Sequence, residues 1–137
     1  MKYLEILKQL IKENSYKSED LPIYLGAVEE LTATNENISD ELLSINSLRV
    51  QIDIIGVIKG WIIINHNLKT GVGEIKEPDV ILEMNEEVGQ GMFIGTIDAP
   101  SAHKNEDLKI IGDISKAMQF RSLLTIISEE LYFEIEY

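Results

Sequence analysis

The chain has no cysteine and only two histidines, His66 and His103. Without cysteine there is no disulfide, thiolate zinc site, iron–sulfur ligation or cysteine nucleophile. The absence suits a reducing compartment, and the chain reads as cytoplasmic. The histidines offer little for a metal, because neither has a partner at HxH or HxxxH spacing. Basic residues are scarce as well. Twelve Lys and Arg stand against 24 Asp and Glu, for a formal net charge of −12. Phosphate contacts need clustered cations, so this balance argues against a nucleic-acid partner. It also opposes adsorption to anionic membranes, and no stable membrane association is expected. The longest apolar stretch, Trp61 to Ile64, is far too short to span a bilayer. The opening residues, Met1-Lys2-Tyr3-Leu4-Glu5, lead into no apolar core or small-residue cleavage site, so no signal peptide is expected.

Motifs that carry chemistry are missing too. Gly71-Val72-Gly73 is too short for a phosphate loop. Gly89, Gly91 and Gly95 give GxGxxxG rather than GxGxxG, and they follow a helix cap instead of opening a helix after a strand. There is no Walker lysine and no GxSxG elbow. Ser101, near His103, reads as a helix residue. The acid pairs Glu86-Glu87 and Glu129-Glu130 sit on predicted helices, where neighbours diverge by about a quarter-turn and cannot converge on one atom. The expectation is a protein that is not an enzyme and holds neither metal nor cofactor.

What the chain does have is an ordinary soluble composition, 45% hydrophobic and 26% charged, over a one-domain length of 137 residues. Tyr3, Leu4, Leu7, Leu10 and Ile11 form one helical stripe, with stop signals at Asn14 and Ser15. A second helix opens at Asp20 with Pro22 in its first turn, and repeats Leu21, Tyr24, Leu25, Val28 and Leu31. Thr32 to Asn37 reads as a loop, and Ser39 as the cap of a third helix carrying Leu42, Leu43 and Ile45. The period then falls to two. Leu48, Val50, Ile52 and Ile54 alternate with polar residues in a first strand. Gly56 marks a turn, and Val57–Ile64 is a second strand. Asn65–Gly71 is predicted as a turn, Val72–Ile75 as a third strand and Asp79–Met84 as a fourth. Asn85 caps a short helix that Gly89 and Gly91 weaken. Asp98 caps another, with Pro100 in its first turn. Leu108–Ile111 is a fifth strand, and Asp113 caps the last helix. Its stripe is Ile114, Ala117, Met118, Leu124 and Ile127, widened by Phe120 and Leu123. The order of the tail from Leu131 to Tyr137 is left open.

Met84, Met92, Phe93, Met118 and Phe120 gather around the glycine-interrupted segments and the last helix. Methionine adapts to varied apolar partners and pockets are mostly apolar, yet such residues are more often plain core. Composition alone favours core.

A resemblance adds to this. From Leu48 to about Ile127, the order LRVQIDI, GWIII, GVGEI, PDVILEMNEE and MFIGTIDAPSAHKNEDLKIIGDISKAMQF resembles the sterol-carrier-protein-2 family. Gly95, Asp98, Ala102, Leu108, Lys109, Ile110, Gly112, Asp113 and Ala117 carry the most specific part. In the turn before the last strand, Glu106-Asp107 replace the family's usual glycine. The resemblance implies an α+β fold, a five-stranded mixed sheet covered by helices that enclose a hydrophobic tunnel. Residues 48–137 would be the lipid-binding domain and 1–47 a helical extension packed on it. An apolar ligand (sterol-like, fatty acyl or isoprenoid) would be carried without catalysis. Met84, Met92, Phe93, Met118, Phe120 and Leu124 would line the cavity over a floor of Trp61, Leu82 and Ile110, and Gly89 and Gly91 would loosen a flap over its entrance. The alternative is an accessory protein of a lipid or quinone pathway with little cavity, meeting a partner enzyme through its N-terminal helices.

Overall fold

The computed structural model describes residues 2–136; Met1 and Tyr137 lie outside the described residues. Helix α1 (Lys2–Lys12) buries Leu4 and Leu7 from the predicted stripe. A helix start leaves amides without partners. Here the Tyr3 and Leu4 N–H groups donate to the Glu30 carboxylate at 2.9 Å, which ties α1 to α2. After a 3₁₀ turn at Ser18–Asp20, α2 (Leu21–Thr34) opens with Pro22 in its first turn and buries Leu21, Tyr24, Leu25, Val28 and Leu31.

Helix α2 runs further than predicted. Thr32 does not break it; its hydroxyl donates back to the Val28 carbonyl at 2.8 Å. The predicted loop shrinks to Asn35, which caps α3 (Glu36–Leu43) by accepting from the Ile38 N–H at 3.1 Å. Ser39, the predicted cap, lies inside the helix and donates to the carbonyls of Thr32 and Asn35.

Five strands form one mixed sheet: β1 (Leu48–Ile54), β2 (Ile58–Ile64), β3 (Leu68–Val72), β4 (Val80–Met84) and β5 (Leu108–Gly112). The order is β3-β2-β1-β4-β5. Only the β1–β4 pair is parallel. The third strand lies earlier than predicted. The turn is only Asn65–Asn67, with His66 at φ +67° and the Asn65 N–H bonded to the Asn67 carbonyl, so Leu68 returns at once opposite Ile64. Lys69 and Gly71 are weak strand formers, and pairing with the Ile-rich β2 overrides that.

The chain from 73 to 79 must then cross to β4. Gln51 on β1 holds this crossover. Its amide donates to the carbonyls of Gly60 (3.0 Å) and Gly73 (2.9 Å), and its oxygen accepts from the Ile75 N–H at 2.8 Å. This network explains why a glutamine is buried on the predicted wet face. The opposite face carries Leu48, Val50, Ile52, Ile54, Ile62, Ile64, Val80, Leu82 and Met84. It is buried in one core with residues of α1, α2, α3 and α6.

Helix α4 (Glu86–Gly91) is capped by Asn85, and α5 (Ala99–Lys104) by Asp98, both as predicted. Helix α6 (Ile114–Glu136) takes in the described part of the tail. Its buried face is Phe120, Leu123, Ile127 and Leu131: the two widening residues and Ile127 of the predicted stripe are buried, while Ile114, Ala117, Met118 and Leu124 are not. Ile114 and Met118 are 75% and 63% exposed, because the first turns of α6 stand away from the sheet.

Candidate functional site

That stand-off creates the site. Between α5, the first half of α6 and the helix-covered face of β4 and β5 lies an apolar groove of about 390 Å³. Strand β5 is the sheet's edge, and α6 begins directly after it, so nothing further in the sheet closes that side. The floor is Leu82, Leu108 and Ile110. Ala117, Met118, Phe120 and Leu124 form one wall, and Ala99 and Pro100 the other. Met92 lines it as well. Where the resemblance implies a tunnel, the structure has a groove open on one side, with Ile110 40% exposed along it.

Six of the nine predicted cavity residues meet here: Leu82, Met92, Ile110, Met118, Phe120 and Leu124. Three do not. Met84 is buried at the end of β4, opposite Ile54 and Leu108. Phe93 is buried against Tyr24, with ring centroids 5.0 Å apart. Trp61 is paired with Gln51 and points to the other face of the sheet, so it is no part of this floor. Sequence reasoning missed Ile114, Arg121 and His103 as lining groups. Ile114, Ala117, Arg121 and Leu124 recur every three or four residues, and reading the charged member as part of the stripe would have found the wall.

The expected loose flap is also absent. Gly89 and Gly91 are buried. A Cβ at Gly89 would lie 2.8 Å from Ile54 Cδ1 and Ser18 Oγ, and one at Gly91 2.6 Å from Ile97 Cγ1. These glycines permit close packing rather than mobility.

The groove's polar lining side chains are His103 and Arg121. Asp98 lies in electrostatic reach of Arg121 but is occupied by its capping role. Its carboxyl is held below the usual carboxylate range first by the Ser101 hydroxyl (2.6 Å) and then by the Ser101 amide, with a smaller contribution from Arg121. Among the described residues no three His, Asp or Glu side chains come together as a metal site. No helix among them is long and apolar enough to cross a membrane.

A solved domain 2 of the sterol carrier protein of Helicoverpa armigera shares the fold at a TM-score of 0.59 and 18% identity, covering 77% of this chain and 86% of that one. The structure described as UbiJ-SCP2 ubiquinone synthesis protein matches at 0.59 and 11%, covering 77% and 96%. The sec-alkylsulfatase Pisa1 from Pseudomonas sp. matches at 0.52 and 19% over 62% of this chain, which spans only 14% of that enzyme. At such identities the likeness is one of fold. No curated protein matches the chain. The family model described as SCP-2 sterol transfer family matches residues 28–125, from within α2 to within α6, and so includes the whole sheet and the groove. The chain belongs to the SCP-2 sterol transfer family, a family of lipid-binding and lipid-transfer domains.

Proposed function

We propose that this protein binds and carries a lipid or other apolar ligand (sterol-like, fatty acyl or isoprenoid) in the groove between α5, α6 and β4–β5, without catalysing a reaction on it. The observation that carries the reading is the lining. Leu82, Leu108, Phe120 and Leu124 present apolar surface to a space of about 390 Å³, within the range of small-molecule sites, ~300–1,000 Å³. Covering ~300 Å² of ligand surface at ~25 cal/mol per Å² contributes roughly 7 kcal/mol before the entropy of binding is subtracted. In this reading residues 1–47 are a helical extension on a 48–137 binding domain, and the protein works in the cytoplasm.

The test is a titration of delipidated protein with a fluorescent fatty acid, beside native mass spectrometry of protein purified without detergent. Saturable binding that is lost in Met118→Glu is the expected result. Absence of binding at tens of micromolar probe, with no retained lipid, would overturn the reading. A second reading, an accessory protein that presents a lipid-like precursor to a partner enzyme, draws support from the groove's openness and from Tyr3 and Ile6, which α1 leaves partly exposed. Co-purification of an enzyme with the intact protein but not with a Tyr3→Glu, Ile6→Glu variant would favour it.

A further inference from the structure

One edge of the sheet ends without a partner. Strand β5 pairs with β4 on one side only, and among the described residues no strand lies beyond it. Lys109 to Gly112 are exposed. In an antiparallel ladder alternate residues turn both N–H and C=O to the same neighbour. The Asp113 N–H bonds to the Asp79 carbonyl at 3.0 Å, so by alternation Ile111 and Lys109 face β4. The main-chain groups of Leu108, Ile110 and Gly112 therefore point off the edge. Exposed apolar side chains gather at the same place: Ile110 towards the groove, Ile111 on the opposite face, and Ile114 and Met118 on the first turns of α6. A hollow runs along this edge and touches side chains of both faces, Leu108 and Ile110 on one and Lys109 and Ile111 on the other. The opposite edge, β3, is packed on by α2, where the Thr70 hydroxyl donates to Glu29.

We infer that this edge is where two copies of the chain meet, β5 against β5, antiparallel about a two-fold axis at Ile110, so that the sheet continues through both. The register is self-complementary, as a two-fold contact requires. Ile110 pairs with Ile110 of the second copy and Leu108 with its Gly112, which uses all three residues whose main-chain groups face outward. Lys109 then stands beside Ile111 of the second copy on the outer face. Asp107 and Asp113 come opposite each other at both ends, and their like charge stops the ladder at five residues. Charge also favours a second copy here. Ala99 to Ser128, which supply α5, β5 and most of α6, hold four basic and three acidic residues, against eight and 21 in the rest of the chain. Over most of its surface a chain of −12 repels its own kind, but this sector is nearly neutral. The groove is open on the β5 side, so the two-fold sets two grooves facing each other over a joined floor. The first turns of α6 in one copy come opposite α5 of the other, which covers Ile114 and Met118. The contact does not depend on a ligand.

The experiment is sedimentation equilibrium of the whole protein, beside hydrogen exchange of single amides read by NMR. The weight-average mass should rise from one chain towards two over about 5–500 μM, as mass action on a small contact requires. Across that range the Ile110 amide should exchange about tenfold more slowly, while the Ile111 amide, already paired with β4, changes by less than about twofold. Ile110→Pro removes the outward N–H and no bond of the β4–β5 ladder, so the variant should fold, by circular dichroism, and stay a single chain. Two changes at Ile111, outside the groove, test the register. Ile111→Lys sets a cation beside Lys109 of the second copy and should weaken association about tenfold, whereas Ile111→Glu sets an anion there and should retain it. Val72→Lys on β3 is the control away from the contact and should leave association unchanged. A single chain at every concentration, an Ile110 amide indifferent to concentration, or equal loss in Ile111→Lys and Ile111→Glu overturns the inference. Ligand binding measured in dilute protein judges the groove reading separately, so the two can fail independently.

Discussion

Trp61 on β2 stands over Gly71, its register partner on β3, and its indole fills the space into which a side chain at position 71 would project. The pair lies on the sheet face turned away from the groove. Gly71→Ala must therefore displace the indole, and forcing extra volume into a fitted site costs about 1–3 kcal/mol. Chemical denaturation should show that loss, with a shift in tryptophan emission. Ligand affinity should stay unchanged, because the groove is on the other face. Unaltered stability and emission would contradict the packing described.

Glu106 occupies a position that favours glycine. Helix α5 ends with the Asp107 N–H bonded to the Ala102 carbonyl (2.9 Å) and the Glu106 N–H bonded to the His103 carbonyl (3.1 Å), a Schellman closure with Glu106 at φ +66°. A side chain in that left-handed region costs roughly 1–2 kcal/mol, partly offset in Glu106→Gly by the freer unfolded chain. Glu106→Gly should thus raise the unfolding free energy by about 0.5–1 kcal/mol. A loss of stability in thermal melts would show that the glutamate makes a compensating interaction.

How far the fold was legible depended on the length of each signal. The period-two run from Leu48 to Ile54 and the helical repeat from Leu21 to Leu31 are set by many residues at once, and both elements formed as read. The third strand was misplaced because Leu68-Lys-Thr-Gly-Val carries almost no local signal; its pairing partner, β2, decides it. The groove was legible in part. Leu82 and Phe120 were marked by apolar character, but Arg121 was not, since nothing local tells a charged residue on a groove wall from one on a solvated face. Trp61 was assigned to the wrong side, because the alternation of β2 fixes which residues share a face but not which face the helices cover.

Two phenol hydroxyls, those of Tyr16 and Tyr24, are buried without a hydrogen-bond partner among the described residues. Burial pushes both well above the ordinary phenol value of 10.0, and for Tyr16 the neighbouring Tyr24 and Asp20 add to it. The unfolded chain loses these protons from about pH 10 upward, while the folded one keeps them. Their contribution to stability is therefore complete below pH 10 and declines above it, by up to about 1.4 kcal/mol per pH unit for each tyrosine. Lysine titration overlaps this range, so the measurement is a difference. Denaturation of the unaltered protein and of Tyr24→Phe should give stabilities that diverge above pH 10, with the phenylalanine variant the less alkali-sensitive. At neutral pH Tyr24→Phe should be equal in stability or better by about 1 kcal/mol, because it removes an unpaired buried hydroxyl. Parallel curves at all pH values would mean that Tyr24 is not buried as described.

Phe120 and Met118 separate what holds the fold from what serves the groove. Both line it, two residues apart on α6, but Phe120 is 2% exposed and Met118 is 63% exposed. Phe120 is the first buried residue of α6; Phe120→Ala leaves a cavity there and should cost about 3–5 kcal/mol. Met118 makes little of the core, so Met118→Ala should change stability by no more than about 0.5 kcal/mol. Its loss should instead be felt by an apolar ligand, through the contact area it removes from the wall. A matched pair of measurements decides it: denaturation midpoints for both variants, and affinity of the folded Met118→Ala protein for a fluorescent fatty acid. Weakened binding in a fully stable Met118→Ala protein is the expected outcome. Unchanged affinity, or a stability loss as large as that of Phe120→Ala, would move Met118 out of the groove and into the core.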